Sequence, residues 1–349
     1  MIDLFDITIS INHRPFGKKR ISEPEYSDQS FIDYYGKNVY LHEYGYPISV
    51  VSLNDGTAIG IRCSPLKALQ GHNVFGTNNV CGLVQSLIRA ALDRLNIHYT
   101  PKQLESWCAG NFEINELDIT HRFRITPGVS VKGICTHMLR SSSTDLSPQW
   151  IKPGIGVRLY PPQSSTHWLF YDKKQELQDK RRKAERHLKA VIGDQFENVW
   201  SELIDTAGRS VRAELKLSKA YLKRHHLDRG SAWTVEKALA LYFSELDQLR
   251  LGALDELPLP ENSVRHIRTR TLKQTFALWA YGADLRDLLA RSTLNSHRSQ
   301  ILRLVDIDIF RDDPRRASLR LSEIFSRENA LCGFPKWTRT YPLAAYRPA

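Results

Sequence analysis

Cysteine is scarce in this chain and is not spaced for chemistry. The five cysteines, Cys63, Cys81, Cys108, Cys135 and Cys332, are odd in number and scattered, with no C-x-x-C pair. That pattern gives neither a zinc knuckle nor a disulfide framework, and it fits a reducing compartment. Long apolar runs are missing too. Nothing approaches the roughly 20 residues needed to span a bilayer, and residues 1–6 carry neither the basic region nor the apolar core of a signal peptide. A soluble, intracellular protein with no membrane partner is expected. No internal repeat or low-complexity tract interrupts the chain. Acidic residues are in deficit, 38 against 49 basic ones, for a net charge of +11. Such a balance favours polyanions, nucleic acid first, through phosphate neutralisation and counterion release. A length of 349 residues is enough for a sizeable core and points to two domains rather than one.

What the chain does have is alternation. In residues 166–172, Trp168 and Phe170 point to one face of a strand, and His167 and Tyr171 to the other. Residues 113–125 place Leu117, Ile119, Phe123 and Ile125 on one side and Glu116, Asp118, Thr120, Arg122 and Arg124 on the other. His121 falls on the apolar side, as a core histidine. Residues 211–217 set Val211, Ala213, Leu215 and Leu217 against Arg212, Glu214 and Lys216. If the three strands share a sheet, its open face carries a tyrosine, two or three carboxylates and several cations. A tyrosine beside a carboxylate-held divalent cation is equipped to attack a phosphodiester that the metal polarises. The plainer reading is a polar sheet face with no chemistry.

Further strands are expected over 3–11, 39–44, 48–53 and 58–63, with a long loop or excursion over 13–33 and a hairpin turn at Asn54-Asp55-Gly56. Val80, Leu83, Val84, Leu87, Ile88, Ala91, Leu92 and Leu95 have the spacing of one helix face laid on a sheet. Thr100, Pro101 and Gln103 open a short capped helix that ends near Gly110. A Gly/Ser/Thr/Pro-rich connection over 126–153 has room for one short helix or strand. A hairpin follows over 155–160 and 166–172, then a charged helix over 173–190 and the last strand over 209–218. Beyond residue 231 only helices are expected: 235–249, 263–280, 285–290, 295–305 and 317–326. The fold class is therefore α+β: an antiparallel sheet with helices on one face in residues 1–230, followed by a mainly helical domain in 231–349. Helices near 271–281, 284–291 and 294–304 have helix-turn-helix proportions. The third carries Asn295, His297, Arg298 and Arg303 for base edges and phosphates.

The block Leu69-Gln70-Gly71-His72-Asn73-Val74-Phe75-Gly76, with Cys63-Ser64-Pro65-Leu66-Lys67 before it, resembles one in the replication initiators of filamentous single-stranded DNA phages, the gene II endonuclease family. Leu117-Asp118-Ile119-Thr120, the Tyr171 strand, and Val211-Arg212-Ala213-Glu214-Leu215 followed by Tyr221-Leu222-Lys223 fall in that family's order. The likeness spans roughly residues 55–305. It implies a rolling-circle initiator that nicks the plus strand at the double-stranded origin, leaves a 3′-hydroxyl for a host polymerase, and later rejoins the displaced strand. It also implies a five-stranded antiparallel sheet with helices on one face and a divalent metal on the other. Tyr171 is then the nucleophile, assisted by Lys173 or Lys216, with Asp118 and Glu214 as metal ligands. Glu116 is a possible third carboxylate, and His167 a possible ligand or base. The chain departs from many related nickases in lacking a His-apolar-His motif, and an oxygen-rich site suits Mg²⁺ or Mn²⁺. Lys67, Gln70, His72 and Asn73 offer donors to DNA, as do Arg212, Lys216, Asn295 and Arg298. The Gly71-His72-Asn73 loop either holds a phosphate on its backbone N–H groups or is a turn needing glycine. Origin DNA, single- and double-stranded, and a host helicase and polymerase are the expected partners, in the host bacterial cytoplasm. The competing readings are a non-catalytic basic DNA-binding protein (a repressor or strand-binding factor) and a metal nuclease that uses water.

Overall fold

Alternating side chains put the first strand, β1 (Ile2–Ser10), in the middle of the sheet. Phe5, Ile7 and Ile9 are fully buried, on one side of the pleat. The computed structural model describes residues 1–22, 31–125, 129–140, 147–152, 155–160, 166–254, 266–280, 283–305, 307–310 and 320–348. Part of the stretch expected as a loop over 13–33 is a hairpin, β2 (Lys19–Ser22) paired with β3 (Phe31–Tyr34). The strand expected over 39–44 is replaced by a shorter and earlier one, β4 (Lys37–Val39). Tyr44 stands at φ 62°, outside the extended region, so no strand continues there. β5 (Ile48–Leu53) and β6 (Ala58–Cys63) keep their expected bounds around the turn at Asn54-Asp55-Gly56.

α1 (Pro65–Gln70) ends at Gly71, which holds φ 79°. A Cβ there would come within 2.8 Å of the Leu188 backbone, so only glycine fits. α2 (Val80–Arg94) starts from Asn79, whose side chain accepts from Gly82 N at 2.8 Å. α3 (Pro101–Cys108) starts from a reciprocal Thr100–Gln103 capping box. After β7 (Glu113–Arg124) the connection over 126–153 contains both a helix and a strand, α4 (Val131–Arg140) and β8 (Ser147–Lys152). β9 (Gly156–Tyr160) and β10 (Thr166–Tyr171) form the expected hairpin; its turn over 161–165 lies outside the described residues. The single charged helix expected over 173–190 is two, α5 (Lys173–Asp179) and α6 (Arg181–Ile192), broken at Lys180. α7 (Phe196–Gly208) was not expected and packs Val199, Trp200, Leu203 and Ala207 inward. β11 (Ser210–Leu217), α8 (Lys219–Arg224) and α9 (Val235–Gln248) follow.

The main sheet runs β4-β5-β6-β1-β7-β11-β10-β9-β8, with β12 (Ala330–Leu331) added on β7 as a tenth strand. Every pair is antiparallel. It is thus an α+β fold on an antiparallel sheet, wider than the five strands implied by resemblance. The strand β12 stands in a region where only helices were expected.

The apolar face of β7, β10 and β11 joins α2, α4 and α9 in the largest core. Tyr242 of α9 packs its ring on His121, Phe123 and Trp168, so His121 is the core histidine its position implied. Each such aromatic contributes about 1.5–3 kcal/mol by burial. Residues beyond 230 share this core: Trp233, Phe243, Leu321, Ile324 and Phe325 are all part of it. A separate small core within 267–310 is made by Ile267, Leu272, Phe276, Trp279, Leu294 and Ile301. It unites helices Arg270–Ala280, Leu285–Leu288 and Arg291–Val305. The expected helix start at 263–265 and the joint at Gly282 lie outside the described residues. The helix expected over 317–326 is present as Leu321–Ile324, and 317–319 are likewise outside.

Candidate active site

Strand register assembles the polar face. Tyr171 on β10 lies opposite Arg212 on β11, and His167 opposite Lys216. Across the next pairing Arg212 meets Arg122, Glu214 meets Thr120, and Lys216 meets Asp118. The half-buried Tyr171 hydroxyl donates to Glu214 Oε2 at 3.1 Å. The Lys216 ammonium contacts Glu214 Oε1 at 3.1 Å and also pairs with Asp118 Oδ2. Tyr171, Glu214, Lys216 and Asp118 therefore form one continuous chain of polar contacts. These are the residues that alternation and resemblance had singled out from three separate segments.

Burial dominates the electrostatics of this group. It pushes the Tyr171 phenol well above its ordinary value; Arg212 opposes that rise and Glu214 adds to it. Burial also raises Asp118, with Glu214 next and Lys216 acting against both. Glu214 is raised by burial and then by Asp3. For Lys216 burial acts downward, but Glu214 and Asp118 outweigh it and hold the ammonium charged. Two carboxylates share one lysine, which leaves a deficit of positive charge.

The donor set fits a hard cation. Asp118 Oδ1 is buried without a hydrogen-bond partner, and the Lys216 ammonium stands between the two acids. Among the described residues no third His, Cys, Asp or Glu joins them in a metal-holding cluster. Two carboxylates, waters and substrate phosphates are how Mg²⁺ is commonly held, whereas zinc calls for nitrogen or sulfur. Glu116, a possible third carboxylate, is instead tied to Arg62 at 2.5 Å. Arg62 also holds Asp6 at 3.1 Å, on strands with a register shift at this point. His167 is half-buried, its ring 5.7 Å from Tyr160. Neither adds a third donor.

Asp3 was missed, and it is central. Alternation from Phe5 and Ile7 assigns position 3 to the apolar face, but the β1–β7 register slips between Ile2 and Leu4. The bulge turns the Asp3 carboxylate to Arg212, at 3.0 Å, as bulges re-aim side chains. An acid in an otherwise apolar row was the available signal. Burial works against the Asp3 carboxylate, but Arg212, Lys67 and Lys173 together outweigh it and hold its pKa far below the usual range. Arg212, expected on DNA, is fully buried. It donates to the Asn73 carbonyl and lies 5.7 Å from the Tyr171 ring centre. Lys173 is buried and paired with Glu176, and burial lowers its ammonium to about 8. Lys67 is half-buried, its ammonium 5.3 Å from the Tyr46 ring centre.

The Gln70-Gly71-His72-Asn73 segment is interior, which removes three expected DNA contacts. Gln70, His72 and Asn73 are all buried. Gln70 Nε2 donates to the Phe75 carbonyl at 2.8 Å, while its Oε1 accepts from Tyr346 N at 2.8 Å. His72 Nε2 donates to the Ala344 carbonyl at 2.8 Å and Nδ1 accepts from Val74 N at 3.2 Å. Asn73 Nδ2 donates to Asp3 Oδ1 at 2.5 Å. The Gly71 N–H is taken by the Lys67 carbonyl, so the loop is the glycine-requiring turn rather than a phosphate cradle. Its partner is the end of the chain: Phe334 and Trp337 set their rings edge-on to Phe75. In the helical unit Asn295 is exposed. Arg298 is not free to read bases, being held by Asp308 through Nε at 2.6 Å and Nη2 at 2.5 Å.

The profile of the phage replication-associated protein family (gene II type, N-terminal region) matches residues 1–236, which carry the whole of this site. The chain belongs to that family. A replication-associated protein of the same type from Enterobacteria phage I2-2 is 25% identical over 252 residues, covering 70% of this chain and 68% of that protein. The solved rolling circle replication initiator protein from Geobacillus stearothermophilus matches at a TM-score of 0.25 and 14% identity, over 88% of this chain and 98% of that one. That score is too low to compare the two sites. This family member has no helix, among its described residues, long and apolar enough to cross a membrane.

Proposed function

We propose that the protein nicks one strand of its phage's double-stranded origin through Tyr171, starting rolling-circle replication, and later rejoins the displaced strand. The observation that carries this reading is the Tyr171 hydroxyl donating to Glu214 at 3.1 Å, with Asp118 joined to the same group through Lys216. In the cutting step the Tyr171 oxygen bonds to phosphorus and the P–O3′ bond breaks. Glu214 takes the phenolic proton, and the leaving 3′ oxygen is protonated by solvent. The product is a 5′-phosphotyrosine and a free 3′-hydroxyl. Because the ester retains the bond energy, attack by a 3′-hydroxyl reseals the strand without ATP.

Asp118 and Glu214 would hold a Mg²⁺ or Mn²⁺ ion, which when bound polarises the phosphate and favours the phenolate. Arg212, 5.7 Å from the Tyr171 ring centre, favours the phenolate, a role that replaces DNA contact for this residue. Lys216 neutralises the two acids and offers its ammonium to the scissile phosphate. Lys173 supplies positive field while paired with Glu176, and Lys67 contacts the DNA backbone. The helical unit of 267–310, with Asn295 exposed, binds duplex origin DNA. A host helicase and polymerase in the bacterial cytoplasm complete the reaction.

Tyr171→Phe should lower nicking of supercoiled origin plasmid by about 10³-fold or more, as loss of a nucleophile does, with gel-shift affinity unchanged. Asp118→Asn should abolish the response of nicking to added Mg²⁺. Full nicking by Tyr171→Phe would make the protein a nuclease that uses water.

A further inference from the structure

A cavity of about 280 Å³ lies where the sheet is interrupted beside β7, between the start of β1 and β12. Its walls include Asn78, His121, Arg122, Arg212, Cys332 and Phe334. Two of these are buried guanidinium groups placed directly opposite each other across β7 and β11. Asp3 serves Arg212. Among the described residues no carboxylate pairs with Arg122. Its one hydrogen bond there runs from Nη1 to the Thr206 carbonyl at a long 3.5 Å. Burial, then Arg212, lower the Arg122 guanidinium to about 10. Further polar atoms around the cavity are buried without partners: Arg212 Nε, His121 Nε2 and Asn78 Oδ1. Water satisfies hydrogen bonds in such a space but does not neutralise a buried charge. An oxyanion does both, and the Asn78 amide turns its NH₂ inward by a flip of its end group.

We propose that this cavity is a phosphate-binding site centred on Arg122, distinct from the Tyr171 group and sharing Arg212 with it. Its ligand is one phosphate oxyanion, either free in solution or carried by a DNA strand. The site does not depend on the nicking reading, since a non-catalytic DNA-binding protein would need the same counter-charge.

The test is thermal unfolding of the full-length protein in chloride buffer with increasing inorganic phosphate at constant ionic strength. Arg122→Met and Arg122→Lys are run alongside. Wild type should show a Tm that rises with the logarithm of phosphate concentration once a dissociation constant is passed, while Arg122→Met keeps only the small linear rise that phosphate gives any protein. Arg122→Met should also unfold no earlier than wild type in phosphate-free buffer, because it removes an unpaired buried charge. Arg122→Lys, which keeps charge but loses the fork, should weaken phosphate binding about tenfold. A single-stranded oligonucleotide without terminal phosphates separates the two sources. If it displaces phosphate, a DNA phosphate is the ligand; if it does not, free phosphate is. An identical phosphate response in wild type and Arg122→Met, or only the small linear rise in both, would overturn the proposal.

Discussion

Arg212 faces another arginine across β7, so its counter-charge has to come from elsewhere, and Asp3 supplies it from a bulge in β1. The pair is buried at both ends, and a buried pair that loses one member leaves an uncompensated charge worth about 3–5 kcal/mol. Asp3→Asn should therefore lower the unfolding free energy by about that amount in urea denaturation. Adding Arg212→Met to it should restore much of the loss, because both charges are then gone. Additive losses in the double variant would show that the two residues act independently. Asp118 and Glu214 could be read from strand alternation because both sit on the unbroken β7–β11 ladder. Asp3 could not, since a one-residue slip reverses the face a side chain occupies. Arg298 has the chemistry of a base reader, but its fork is closed on Asp308, a partnership that only tertiary structure creates.

Among the elements, the block at 69–76 had the most specific sequence pattern and the least expected use. Its polar residues hold the chain's C-terminal segment rather than DNA. That clasp was invisible in sequence because 334–346 has no motif of its own. The hydrogen bonds tying it to Gln70, His72 and Ser86 each span 260 residues or more. α7 was readable, with Phe196, Val199, Trp200, Leu203 and Ala207 at helical spacing, and a strand-centred view of 209–218 passed over it. His72 gives the clasp a pH dependence. Burial lowers its imidazole from 6.5 to about 3, against a smaller upward pull from the Ala344 carbonyl, with Lys173 and Arg122 also disfavouring charge. The folded protein thus keeps His72 neutral where the unfolded chain takes up a proton. Its contribution is complete above pH 6.5 and is lost as pH falls toward 3, by about 1.4 kcal/mol per pH unit. His72→Gln should flatten the decline of unfolding free energy between pH 6 and 4 relative to wild type. An unchanged slope would mean that His72 is already solvated in the folded protein.

On the scale of the whole molecule, the sheet, α9 and the last 20 residues share packing, while 267–310 keeps a core to itself. The net charge of +11 is consistent with a DNA partner but says nothing about which strand is cut. The proposed cut rests on the Tyr171 phenol, which donates to Glu214. The most direct measurement is to incubate the protein with a labelled origin oligonucleotide and Mg²⁺, trap the SDS-resistant product, digest it, and locate the modified peptide by mass spectrometry. The account predicts a nucleotide phosphate esterified to Tyr171 and no adduct from Tyr171→Phe. Cleaved DNA with no adduct, or an adduct on any other tyrosine, would contradict it.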